Sequence, residues 1–221
     1  MGFFSKISRG KENESLWADF AGLANDSDLL TKKAKILAAF LIQSALSDQR
    51  LLKSKLEEIS AEKDVAPDFR ERVNSISSRA WNNAFYEILF LLLHFSDRVA
   101  FQYLKPEKRN LFIDALFSET LSILSTGPST GIEYIPFATE HMLMEAYNDR
   151  QRHYSTFKEL VPGEDESFAG TVFWEFGKAI SKILTGEARD IRIVAPAQVI
   201  VTSRVFAMEL PQLLTGAEVK R

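Results

Sequence analysis

The sequence predicts an all-α protein, a single-domain helical bundle of about seven helices around a buried central helix at about 81–104. Three observations lead there. The segment Trp81–Leu104, WNNAFYEILFLLLHFSDRVAFQYL, is apolar almost all the way round in its middle. A helix of that kind must be surrounded by other helices or by lipid. Its uncharged run, Ile88–Ser96, is nine residues long, against the roughly 20 that a bilayer requires, so protein must cover it. Second, apolar residues recur at helical spacing through most of the remaining chain. Third, the seven prolines and ten glycines fall mostly between those periodic stretches, where chain breaks belong.

Taken in order, Leu16, Trp17, Phe20, Ala21 and Leu23 define a helix over about Glu14–Ala24. Asn25–Ser27 offers cap residues for the next. Its inner row is Leu30, Ala34, Leu37 and Leu41. The pattern resumes at Leu52, Leu56 and Ile59 after Ser47-Asp48, so this helix bends there or runs on to about Ala61. Glu62–Ala66 is the connection, and Pro67 suits the first turn of a helix carrying Phe69, Val73 and Ile76 towards the central one. Pro106-Glu107 starts a helix with Phe112, Leu116 and Ile123 on one face. Ser125-Thr126-Gly127-Pro128 stops it.

An irregular stretch, Gly127–Pro136, precedes a helix of about Phe137–Leu160 marked by Leu143, Tyr147, Tyr154 and Phe157. Pro162-Gly163 breaks the chain. Glu164, Asp165 and Glu166 sit where acidic residues favour a helix N-terminus. The stripe Phe168, Val172, Phe176, Ile180 and Ile183 ends at Thr185-Gly186. Ile191–Val205 is rich in β-branched residues, which suits a strand. With Pro196 read as a first-turn proline, it suits a helix stopped or kinked at Pro211; in a helical chain the helix is preferred. The domain reading is a flexible N-terminal arm (1–13), a helical domain (14–216) and a C-terminal tail (217–221).

Composition narrows the function. The 221 residues suffice to bury a core without staples. There is no cysteine, which excludes disulfide frameworks, cysteine-ligated metals and a thiol nucleophile, and fits a cytoplasmic location. Net charge is −3 with signs mixed throughout; no segment has the basic excess of a nucleic-acid footprint. Residues 1–11 place Phe3, Phe4 and Ile7 beside Lys6, Arg9 and Lys11, a pattern that also serves contact with an anionic membrane surface. No phosphate-binding glycine loop occurs.

Three constellations could carry chemistry. His141, Glu145, Asp149 and His153 are spaced four apart on one helix, as in bundle metal sites. At about 100° per residue the row lies away from Leu143, and no Glu-x-x-His pair accompanies it, so it is rejected as a metal site and no metal or cofactor is expected. His94 lies in the apolar central helix and shares a side with Glu87 and Arg98. These three are the candidates for a cofactor or ligand pocket. The competing reading is a polar knot that fixes helix packing, with His94 buried and bonded to a carboxylate or backbone carbonyl from Glu87, Asp97 or another helix. Gly170 and Gly177, seven apart beside Trp174, predict a helix face approached closely by another helix, within the chain or of a second copy. The expected function is a non-enzymatic interaction or oligomerisation module whose partner is protein, including a second copy. The alternatives are a helical enzyme or ligand-binding protein with a pocket near His94, and a peripheral membrane protein anchored by the N-terminal segment.

Overall fold

The structure, a computed structural model, describes residues 27–126, 140–157 and 170–207. Among them are seven helices and no strand: α1 (Ser27–Ala61), α2 (Pro67–Asn74), α3 (Ser78–Tyr103), α4 (Pro106–Thr126), α5 (Glu140–Ser155), α6 (Val172–Thr185) and α7 (Ile191–Ala207). The fold is all-α, and α3 is the expected buried helix. Its residues 84–96 are all buried, Glu87, His94 and Ser96 included. No helix among the described residues is long and apolar enough to cross a membrane. The first helix read from the sequence, the arm, the tail, the 127–136 stretch, the acidic 164–166 run and Pro211 all lie outside the described residues.

The chain divides into two compact units. The first holds 27–40 and 95–126 of the described residues. There α1 and α4 run side by side in the same direction, since Lys108 donates to Ser27 and Lys35 pairs with Glu119 at 3.7 Å. Leu30, Ala34, Leu37, Phe112, Leu116 and Leu121 form its core. Asp97 receives both arms of the Arg109 guanidinium, at 2.8 and 2.7 Å, and that guanidinium lies 5.4 Å from the centre of the Phe101 ring.

The second unit holds 41–94, 140–157 and 170–207 of the described residues. Its part of α1 carries the buried row Leu41, Ala45, Asp48, Leu52 and Leu56. The helix runs through Ser47-Asp48 without a break. Asp48 turns inward, and the Arg204 guanidinium of α7 meets it at 2.7 to 3.2 Å. A charge in an apolar row is tolerated only with a counter-charge, and Arg204 supplies it. Burial still pushes the Asp48 carboxyl above its usual value, against the hydrogen bonds and charge of Arg204.

Three expectations need correction. Helix α5 ends at Ser155, short of Leu160; Thr156 turns the chain and Phe157 lies beyond the helix. Pro196 is the sixth residue of α7, beyond the first turn; the helix accepts it although the ring removes the amide that would bond back to residue 192. Gly170 is not helical. It has φ +83° and precedes Thr171, which caps α6 by accepting the Trp174 amide at 3.2 Å. At the other end Gly186, at φ +81°, donates its amide to the Lys182 carbonyl, the left-handed stop read from Thr185-Gly186.

Candidate functional site

Leu143, Tyr147 and Tyr154 are the buried side chains that draw α5 onto its neighbours, and Tyr147 meets Phe90 of α3 edge-on at 5.9 Å. That packing brings Arg150, Gln151 and Tyr154 of α5 against Glu87 and His94. Glu87 is 3% exposed. One of its oxygens accepts the Tyr154 hydroxyl; the other lies 2.7 Å from Arg150 Nε. Burial pushes the Glu87 carboxyl above its usual value, opposed by the Arg150 charge and by both hydrogen bonds. Burial and the facing carboxylate hold the Tyr154 hydroxyl well above an ordinary phenol. The hydroxyl therefore keeps its proton and serves as a donor.

His94 is buried, and its Nδ1 lies 2.8 Å from Gln151 Oε1. The same amide donates through Nε2 to the Phe90 carbonyl at 3.2 Å. That second bond orients the amide, so Nδ1 of His94 carries the proton and donates. The imidazole also lies against the Tyr154 ring, centroids 5.6 Å apart. The expected partner was a carboxylate or a backbone carbonyl. At Nδ1 the partner is a side-chain amide, supplied by another helix as the expectation allowed, and spacing along α3 could not identify which residue. Replacing His94 by alanine is expected to destabilise by about 1–3 kcal/mol, since a buried ring is removed and the part-buried Gln151 Oε1 loses its donor. Thermal unfolding checks this, and an unchanged melting temperature would remove the knot reading.

Tyr154 thus links the two candidates, donating to Glu87 and lying against the His94 ring. Arg98, the third candidate, belongs to the first unit, where burial lowers its pKa. The polar row of α5 faces solvent: His141 and Glu145 are mostly exposed and 3.4 Å apart, and Asp149 pairs with Arg152 on its own helix.

Of the glycine pair, only Gly177 is approached. A methyl there would meet Val194 Cγ1 at 2.9 Å, Gln198 Cγ at 3.0 Å and the Val194 carbonyl oxygen at 3.0 Å. The crossing helix is α7 of the same chain. Gly170 is exposed, with nothing within 4 Å of such a methyl, and its φ explains why glycine stands there. Trp174 is half-buried beside Gly177. The expectation of one continuous glycine face is therefore corrected to a single internal contact at Gly177.

A second cluster escaped the sequence reading. Asp190 caps α7 by accepting the Arg192 amide at 3.1 Å and takes both arms of the Arg192 guanidinium at 2.9 and 2.8 Å. Arg72 of α2 reaches it at 3.1 Å and Glu187 at 2.6 Å. Arg192 also lies over the Phe69 ring, 4.1 Å from its centre. Burial would raise the Asp190 pKa, but the bonds and charges of Arg192 and Arg72 outweigh it and hold the carboxyl below its usual value. The available signal was an aspartate directly before an apolar periodic run, the pattern of an N-cap. An open depression beside it is lined by Glu187–Arg192. Its carboxylates and guanidiniums offset one another, so it presents no net charge to a ligand.

Both clusters hold helices together through charge-assisted bonds, and neither aims a nucleophile into a cleft. Among the described residues no group of three or more histidine, aspartate or glutamate side chains could hold a metal ion. No family model, curated protein or solved structure matches this chain.

Proposed function

We propose that the chain works as a helical protein-interaction module, assembling with protein and in the first instance with itself. The observation that carries the reading is where its polar groups are committed. Glu87 is bonded to Arg150 and Tyr154, and His94 to Gln151, an arrangement that ties helices together. Apolar side chains, in contrast, are left outside. Ile36 is 60%, Phe101 70% and Val199 65% exposed. An exposed aromatic beside an arginine, as Phe101 stands beside Arg109, has the composition of an interface anchor. A cytosolic location is part of the proposal and rests on the absence of cysteine.

Native mass spectrometry tests the proposal. The purified chain is expected to form oligomers at micromolar concentration, and Phe101→Asp or Ile36→Asp is expected to shift the population to monomer with helical content unchanged. A monomer that retains a small molecule, and loses it on His94→Ala, would overturn this reading in favour of a ligand-binding protein.

A further inference from the structure

We infer that α5 is a separable strap across α3, docked through Glu87, which opens as a unit before the rest of the second unit unfolds. The burial pattern is the first support. Of the residues 141–155, nine are exposed and three are buried apolar or aromatic side chains, Leu143, Tyr147 and Tyr154. Helix α6, of similar length, buries seven of fourteen. Elements with little buried apolar surface open at lower free energy than the core they rest on. The second support is what fastens α5. Three neighbouring residues attach it to α3 through polar groups: Arg150 and Tyr154 bond to Glu87, and Gln151 to His94 and to the Phe90 carbonyl. Hydrogen bonds of this kind, unlike apolar contact, are replaced by water when the helix lifts.

Opening would move the Glu87 carboxyl from an interior site into water, so the position of the strap is linked to its charge. The groups that face Glu87 are Arg150 and Tyr154 of α5 and, on its own helix, His94, whose ring lies against Tyr154. The outer side of the cluster carries His153 of α5 and the Glu175–Lys178 pair of α6, 2.8 Å apart, which both act on His153. The sign follows from the docked state. Burial raises the Glu87 pKa there, whereas in the open state it returns to an ordinary carboxylate value. Docking is therefore strongest where Glu87 is protonated in both states. It weakens as pH rises from the ordinary range through the docked value.

Hydrogen exchange followed by mass spectrometry on the full chain tests this, with protection factors corrected for intrinsic rates at each pH. Peptides of α5 are expected to be at least tenfold less protected than those covering Ile88–Leu93, with the gap widening from pH 5 to pH 8. In Glu87→Gln that widening is expected to disappear, leaving only the opposite and smaller contribution of His153, whose pKa burial lowers in the docked state. Equal protection of the two helices at every pH would overturn the strap, and a gap that widens equally in Glu87→Gln would overturn its link to Glu87. Should Glu87→Gln fail to fold, the wild-type comparison decides the strap. Tyr154→Phe, which removes one donor to the carboxylate, then decides the link: the gap is expected to widen at pH 8 relative to wild type, and an unchanged gap would overturn it.

Discussion

Replacing Arg150 by methionine is expected to destabilise the protein by about 2–4 kcal/mol at pH 7.5, because it leaves a buried carboxylate without its counter-charge. The cost is set somewhat below the ~3–5 kcal/mol of a fully buried pair because the Arg150 side chain is 36% exposed and water shares in solvating it. The loss is expected to shrink at pH 5. Glu87 already has a raised pKa in the folded protein; without Arg150 it rises further, and the carboxyl escapes the penalty by taking up a proton. Urea unfolding at the two pH values reads the difference directly. The double variant Glu87→Gln, Arg150→Met is expected to lose less than Arg150→Met alone, since a neutral amide still accepts the Tyr154 hydroxyl. Equal losses in the single and double variants would show that the ion pair is not the source of the effect.

Gly177→Ala is expected to destabilise by about 1–3 kcal/mol, since overpacking outweighs the roughly 1 kcal/mol that alanine gains over glycine inside a helix. Two of the three obstructing atoms, Val194 Cγ1 and Gln198 Cγ, belong to side chains, but the Val194 carbonyl oxygen at 3.0 Å is backbone, and α7 must shift to accommodate the methyl. Gly170→Ala is also expected to destabilise, by about 1–2 kcal/mol, for a different reason: a φ of +83° disfavours any residue with a Cβ. A double-mutant cycle separates the two. Val194→Ala removes the Cγ1 atom at 2.9 Å, so it is expected to relieve part of the Gly177→Ala loss and none of the Gly170→Ala loss. If Gly177→Ala stabilises, the close crossing of α6 and α7 is absent.

What was legible in the sequence was local. Pro67 and Pro106 begin α2 and α4, Gly186 ends α6, and the all-round apolar stretch of α3 is buried as its composition requires. Each of those follows from the backbone chemistry of one residue or from the periodicity of a few turns. The glycines show the limit. In sequence Gly170 and Gly177 look alike, yet one answers a backbone angle and the other a neighbouring helix, and only coordinates separate a positive φ from a close approach. The polar groups show it again. The sequence marks His94 and Glu87 as needing partners, because charged and polar groups inside an apolar helix must be satisfied. It does not name Gln151, Arg150 and Tyr154, which lie 57 to 67 residues away along the chain. The break in the apolar pattern at Ser47-Asp48, which leaves a bend and a continuous helix both open in the sequence, is of the same kind. The counter-charge of Asp48 belongs to α7, and without that information a charge in an apolar row looks like an interruption.

The pairing of Asp48 with Arg204 spans 156 residues, and this has a consequence for how the chain is made. A ribosome adding about 5–20 residues per second delivers Arg204 roughly 8–30 s after Asp48. Throughout that interval α1 can form, but the carboxylate in its apolar row has no counter-charge, so the row is poorly suited to being buried. Arg72 has Asp68 beside it on α2 at 3.5 Å, and gains its buried partner Asp190 only 118 residues later. Closure of the second unit around Asp48 is thus expected late in synthesis: α1 emerges with a charge that discourages premature collapse, and the last described helix, α7, brings the Arg204 that permits it.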